Sequence, residues 1–75
     1  MGKNCVMEII KGFQGELSLS YEDILRLEKN DELLLKIADA IDAYMEENDL
    51  YILSLGRYDV HTKKVVDIID KLLDY

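Results

Sequence analysis

Leu50-Tyr51-Ile52-Leu53-Ser54-Leu55 decides the architecture. It is an apolar run closed by Gly56, consistent with a buried strand or with a short helical turn. Tyr51 and Ile52 favour β structure, and Glu46-Glu47-Asn48-Asp49 separates the run from what precedes it. Read as a strand, it needs partners. The candidates are Cys5 to Ile10 and the alternating Glu16-Leu17-Ser18-Leu19-Ser20, joined through Gly12 and Gly15 as a hairpin. The rival for the first of these is a helix over 4–11, because Val6, Ile9, Ile10 and Phe13 also fit helical spacing.

The rest of the chain reads as helix. From Asp31 to Asn48, Asn30 can cap the start, and Asp31 and Glu32 put negative charge at the positive end of the dipole. At about 100° per residue, Leu34, Ile37, Ala38, Ile41, Tyr44 and Met45 fall on one side, with Leu33 and Ala40 widening it. Upstream, Ser20-Tyr21-Glu22-Asp23 is a cap with an acidic first turn, opening a short helix over 21–29. Downstream, Asp59 or Thr62 can cap a helix over 60–74 whose apolar face is Val65, Val66, Ile68, Ile69, Leu72 and Leu73. Its first turn carries Lys63 and Lys64, against the dipole, so packing must hold it. The expectation is a mostly helical α+β domain: helices at 21–29, 31–48 and 60–74, with a two- or three-stranded sheet from 5–10, 16–20 and 50–55. The alternative is an all-α bundle of four helices.

With 75 residues, no proline, no repeat and no linker, residues 1–75 form a single domain. A chain this short buries only about 60% of the surface it exposes when unfolded. That permits one thin core and little room for a deep catalytic pocket. The composition is globular, with 49% apolar and 33% charged residues. Sixteen Asp and Glu against nine Lys and Arg leave a formal charge of -7. Such a balance works against direct nucleic-acid binding, which requires cations on phosphates, and against docking on anionic membranes. It suits a basic partner, or plain solubility.

The single Cys5 has no internal disulfide partner, and a small secreted domain is more often stapled, so a reducing, cytoplasmic setting is expected. No apolar stretch approaches the roughly 20 residues of a membrane span. The start, Met1-Gly2-Lys3-Asn4-Cys5-Val6, has Val6 where a myristoylation signal wants Ser or Thr.

Most chemistries find no residues to carry them. Cys5 and the single His61 are the only sensitive nucleophile–base pair; Cys5 reads as a buried small hydrophobe and His61 as a surface residue at a helix start. One His and one distant Cys cannot hold zinc, and no segment has the alternating acids and central glycine of a calcium loop. Gly12-Phe13-Gln14-Gly15 runs into Glu16, which would repel a phosphate, so it is no phosphate-binding loop. No catalytic residue, metal or cofactor is expected.

What stands out is a band of acids on the long helix. Glu32, Asp39 and Glu46 are spaced by seven, as are Asp42 and Asp49. They span an arc of about 100° facing away from the apolar stripe, with Leu35 in its middle. Lys36 lies to one side, so few i,i+4 pairs neutralise the band. The expectation is a non-enzymatic binding protein using Glu32, Leu35, Asp39, Asp42 and Glu46 to hold a basic or nucleic-acid-handling partner and inhibit or regulate it. Charge would steer the encounter, and Leu35 with nearby tyrosines would supply the desolvated centre. In size and charge alone this is analogous to phage-encoded inhibitors, antitoxins and nucleic-acid mimics. The alternative is a small helical homo-oligomer, possible as a dimer seamed by the 31–48 stripe or the last helix; in it the acids only solubilise.

Overall fold

The computed structural model describes residues 1–51 and 59–73. The described residues form four helices: α1 (Lys3–Gly12), α2 (Tyr21–Glu28), α3 (Asp31–Glu47) and α4 (Val60–Leu73). Among the described residues there is no strand, which corrects the α+β expectation in favour of the four-helix alternative. The three expected helices end within a residue of their expected bounds, and position 74 lies outside the described residues.

Each supposed strand fails for its own reason. Residues 5–10 belong to α1, where Val6, Met7, Ile9 and Ile10 are buried and Phe13 extends the same face. That spacing is helical, so the face satisfies the core and the backbone together. Residues 16–20 alternate in sequence but not in space. The chain makes one more helical turn, with the Leu17 N–H on the Phe13 carbonyl at 2.9 Å, and Ser18 then reverses it at φ 55°. The Leu19 N–H closes back on the Gln14 carbonyl at 3.1 Å. Of 50–55, Leu50 and Tyr51 are described and are not extended into a ladder; 52–55 lie outside the described residues.

The chain turns away at the end of α3 by a Schellman closure. Asp49 takes φ 54°, the Leu50 N–H bonds the Met45 carbonyl at 2.8 Å, and the Asp49 N–H bonds the Glu46 carbonyl at 3.3 Å. Asp is one of the few residues besides Gly that accepts this left-handed backbone. The break at 50 therefore follows from a helix cap.

Side-chain caps start three of the helices. Asn30 Oδ1 accepts from the Leu33 N–H at 3.2 Å. At α2, Ser20 Oγ accepts from the Asp23 N–H at 3.2 Å and Asp23 Oδ2 accepts from the Ser20 N–H at 3.0 Å, a reciprocal capping box. Asp59, one of two candidates, caps α4 by accepting from the Thr62 N–H at 2.9 Å; Thr62 itself is buried.

These bonds also set a pH dependence. Asp23 is held below the usual carboxylate range chiefly by the Ser20 N–H, and Asp59 chiefly by the Thr62 N–H. A carboxylate with a lowered folded-state pKa contributes stability that is present above its unfolded value and is lost as pH falls through the folded one. Acid should therefore weaken the fold only below about pH 4. Urea midpoints measured from pH 7 to pH 2.5 should show that decline. It should flatten in the Asp23→Asn, Asp59→Asn double variant, because Asn still caps but carries no charge to titrate.

α3 is the central element, packed against α1, α2 and α4. Its Leu34, Ile37, Ala38 and Ile41 are all at most 2% exposed. They meet Val6, Ile9 and Ile10 of α1, Ile24 and Leu27 of α2, and Val65, Val66 and Ile69 of α4 in one core, closed by Phe13 and Leu17. Among the described residues, no helix is long and apolar enough to cross a membrane.

Candidate interaction surface

Because α3 gives one face to the core, its opposite face is the longest helical surface open to solvent. Glu32, Leu35, Asp39 and Glu46 are exposed on it, and Asp42 is half-buried at its edge. Leu35 is 51% exposed, an apolar side chain left out of the core and flanked by carboxylates. Among the described residues no ion pair reaches Glu32, Asp39 or Glu46.

Asp42 differs from the other four. Its Oδ2 lies 2.6 Å from the Met1 ammonium, whose pKa is raised first by that hydrogen bond and then by the charge of Asp42. Asp31, at the head of the same helix, pairs with Lys3 at 3.2 Å. The flank of α3 nearest α1 is thus partly neutralised; Glu32, Asp39 and Glu46 have no ion pair among the described residues, although Asp39 adds a small share to the raised pKa of the Met1 ammonium. The partnership of Asp42 is tertiary and left no mark in residue spacing.

The described tyrosines do not gather around Leu35. Tyr44 points to the core side and its hydroxyl lies 2.9 Å from His61 Nδ1, with the two rings 6.0 Å apart and tilted by 57°. Tyr21 is exposed on α2, Tyr51 is exposed beyond α3, and Tyr58 and Tyr75 lie outside the described residues. His61 is therefore a half-buried link between α3 and α4 and not a free surface residue. A usable signal existed: a tyrosine within an apolar stripe needs a partner for its hydroxyl. Tyr44→Phe removes one part-buried hydrogen bond and should cost about 1 kcal/mol. In a domain this small that lowers the melting temperature by about 4–8 °C, measurable by thermal unfolding.

Cys5 is exposed, against the expectation of burial. On α1 it sits about 100° round from Val6, away from the centre of the buried face. The acids of α4 repeat the theme of α3 on a smaller scale, with Asp67 and Asp70 exposed; Asp74 lies outside the described residues.

Two concavities border α2. A polar cleft of about 580 Å³ separates α1 from the α2–α3 corner. Its walls are tied by Lys3–Asp31 at 3.2 Å and Lys11–Glu28 at 2.9 Å, over a floor of Met7 and Leu34. The Glu28 carboxylate raises the Lys11 pKa through its hydrogen bond first and its charge second. A smaller, more apolar groove of about 380 Å³ lies between α2 and the end of α4. Among the described residues, no three His, Cys, Asp or Glu side chains converge as a metal site would require. No protein-family model matches this chain, and neither a curated protein nor a solved structure is significantly similar to it.

Proposed function

We propose that the chain is a non-enzymatic binding protein that uses the outer face of α3 to hold a basic partner protein and so inhibits or regulates it. The observation that carries this reading is Leu35, 51% exposed between the carboxylates of Glu32 and Asp39, which form no ion pair among the described residues. Acids at Glu32, Asp39 and Glu46 attract a cationic surface over distances up to a Debye length, about 8–10 Å at physiological salt. Leu35 gives the encounter an apolar centre to desolvate. Asp42 serves at the edge, where its charge is shared with the Met1 ammonium.

The oligomer reading gains no specific support. The 31–48 stripe once available as a dimer seam is spent in the chain's own core, through Leu34, Ile37, Ala38 and Ile41. The last helix likewise buries Val65, Val66 and Ile69 internally.

Affinity capture from a cell extract, at low and at high salt, tests the proposal with two baits. One is the chain itself; the other carries Glu32→Gln, Asp39→Asn and Glu46→Gln. A basic protein retained by the first at low salt, released at high salt and absent from the second supports it. Equal recovery on both baits, or no basic protein on either, rejects it.

A further inference from the structure

Glu32, Leu35, Asp39, Asp42 and Glu46 follow one another at steps of three, four, three and four residues. That alternation is a heptad seam, the repeat by which one helix lies along another. Here the seam is not the core. Leu34, Ile37, Ala38 and Ile41 take the buried side, and at about 100° per residue the seam is centred roughly 130° away from them. α3 therefore has two faces with helix-packing periodicity. One is spent on α1, α2 and α4. The other is turned to solvent, with Asp42 engaged at its edge by the Met1 ammonium.

Within the seam, Glu32, Asp39 and Glu46 form one line that drifts by only about 20° per heptad, a drift that a left-handed supercoil takes up. Leu35 stands between the first two. Ala43, exposed and small, leaves room beside Asp39 for a second backbone at the usual helix–helix distance of about 8–10 Å. Lys36, the only cation of α3, lies about 40° round from Glu32 and off the line.

This spacing selects the shape of an occupant. Seven residues of helix advance about 10.5 Å, so the three acids lie along about 21 Å. A strand repeats its same-face side chains about every 6.6 Å and misses the middle acid by about 3 Å. A polyproline helix repeats about every 9.3 Å and falls short by more than about 2 Å over two repeats. A second α-helix with cations seven residues apart meets all three acids. Charge complementarity makes those side chains Lys or Arg, and Leu35 calls for an apolar residue beside them.

We infer that the outer face of α3 receives a single α-helix of the basic partner, with Lys or Arg at every seventh position and an apolar residue in the same seam. The inference rests on the acidic-face reading and narrows it, because the partner is then recognised by register as well as by net charge.

The test titrates the full chain, ¹⁵N-labelled, with three synthetic peptides of three heptads each. The first is a helix with lysines at i, i+7 and i+14 and one leucine in the same seam. The second has the same composition with lysines at i, i+5 and i+10, which scatters them round the helix. The third is the first with a central proline, which breaks the helix. The expected result is amide shifts along 32–46 and a gain of peptide helicity with the first. It should bind about twofold to thirtyfold tighter than the second, which displaces two of three exposed charge pairs, and the proline peptide should also bind more weakly. The triple variant Glu32→Gln, Asp39→Asn, Glu46→Gln should abolish the difference between the first two; its substitutions are all at exposed positions, and the same spectra verify its fold. Equal binding of all three peptides at this face, lost in the triple variant, would overturn the helix inference and leave the acidic-face reading standing. Peptide binding that leaves 32–46 unshifted and survives in the triple variant would overturn both. No binding of the first peptide would overturn the helix inference, the two-bait capture then deciding the acidic-face reading separately.

Discussion

Ile41→Ala should lower the unfolding free energy by about 2–5 kcal/mol, the largest loss from any single truncation of the core. Ile41 is 0% exposed at the middle of α3, the helix that packs against all three others. Deleting its branched side chain removes contacts to more than one neighbour and leaves a cavity that the surrounding helices can close only in part. A chain of this length has about 4–11 kcal/mol of stability in all. The variant therefore gives up about a fifth of the fold's stability or more, and melting should fall by about 8 °C or more at roughly 4–8 °C per kcal/mol. Leu35→Ala, six residues earlier on the outer face, should change stability by less than about 0.5 kcal/mol. Urea unfolding of the two variants, followed by circular dichroism, separates them. Similar midpoints would mean that α3 is not the centre of the core.

That contrast rests on periodicity, and periodicity made three of the four helices legible. Asn30 and Ser20 announced their caps because a side-chain oxygen ahead of an acidic turn has a local job to do. The false sheet came from segments too short to separate a period of 2 from one of 3.6. Tyr51 and Ile52 favour strand in the 50–55 run, and a strand requires partners, for which 5–10 and 16–20 were the candidates. The helical alternative for the first was already complete in Val6, Ile9, Ile10 and Phe13, all buried in the structure. The turns were harder to foresee. Ser18 and Asp49 both reverse the chain at positive φ without a glycine to signal it.

The candidate surface divides in the same way. Exposure of Glu32, Leu35, Asp39 and Glu46 follows from arithmetic on a single helix, because the face opposite a buried stripe has nowhere to go but solvent. Which residues meet between helices was illegible, even where, as at Tyr44, the need for a partner could be read. The pairing of Asp42 with the Met1 ammonium spans 41 residues, and Tyr44 with His61 spans 17. No local pattern encodes contacts of that separation. The groove between α2 and the end of α4 is equally tertiary, assembled from leucines of four segments.

Neutralising the acidic face should affect binding strongly and folding hardly at all. In the triple variant Glu32→Gln, Asp39→Asn, Glu46→Gln, the remaining helix loses repulsion between Asp42 and Glu46, one turn apart, and between Asp39 and Asp42. Glu46 also stands in the last turn, at the negative end of the dipole, where α3 has no basic residue. Removing that charge should stabilise the helix by a few tenths of a kcal/mol, while loss of Glu32 from the favourable first turn takes back a similar amount. Net stability should stay within about 0.5 kcal/mol. Affinity for the captured basic partner should fall by about threefold to a hundredfold, at about 0.2–1 kcal/mol for each of the exposed charge pairs given up. The association rate should carry most of that loss, and its salt dependence should flatten, because steering is what exposed charges supply. Leu35→Ala should act on the other rate, speeding dissociation with little change in the response to salt, as expected of an apolar anchor at the centre of a contact. Stopped-flow association and dissociation at two salt concentrations distinguish the cases. If the triple variant binds as fast as the parent at both, the carboxylates of α3 serve solubility alone, and the partner must be held elsewhere.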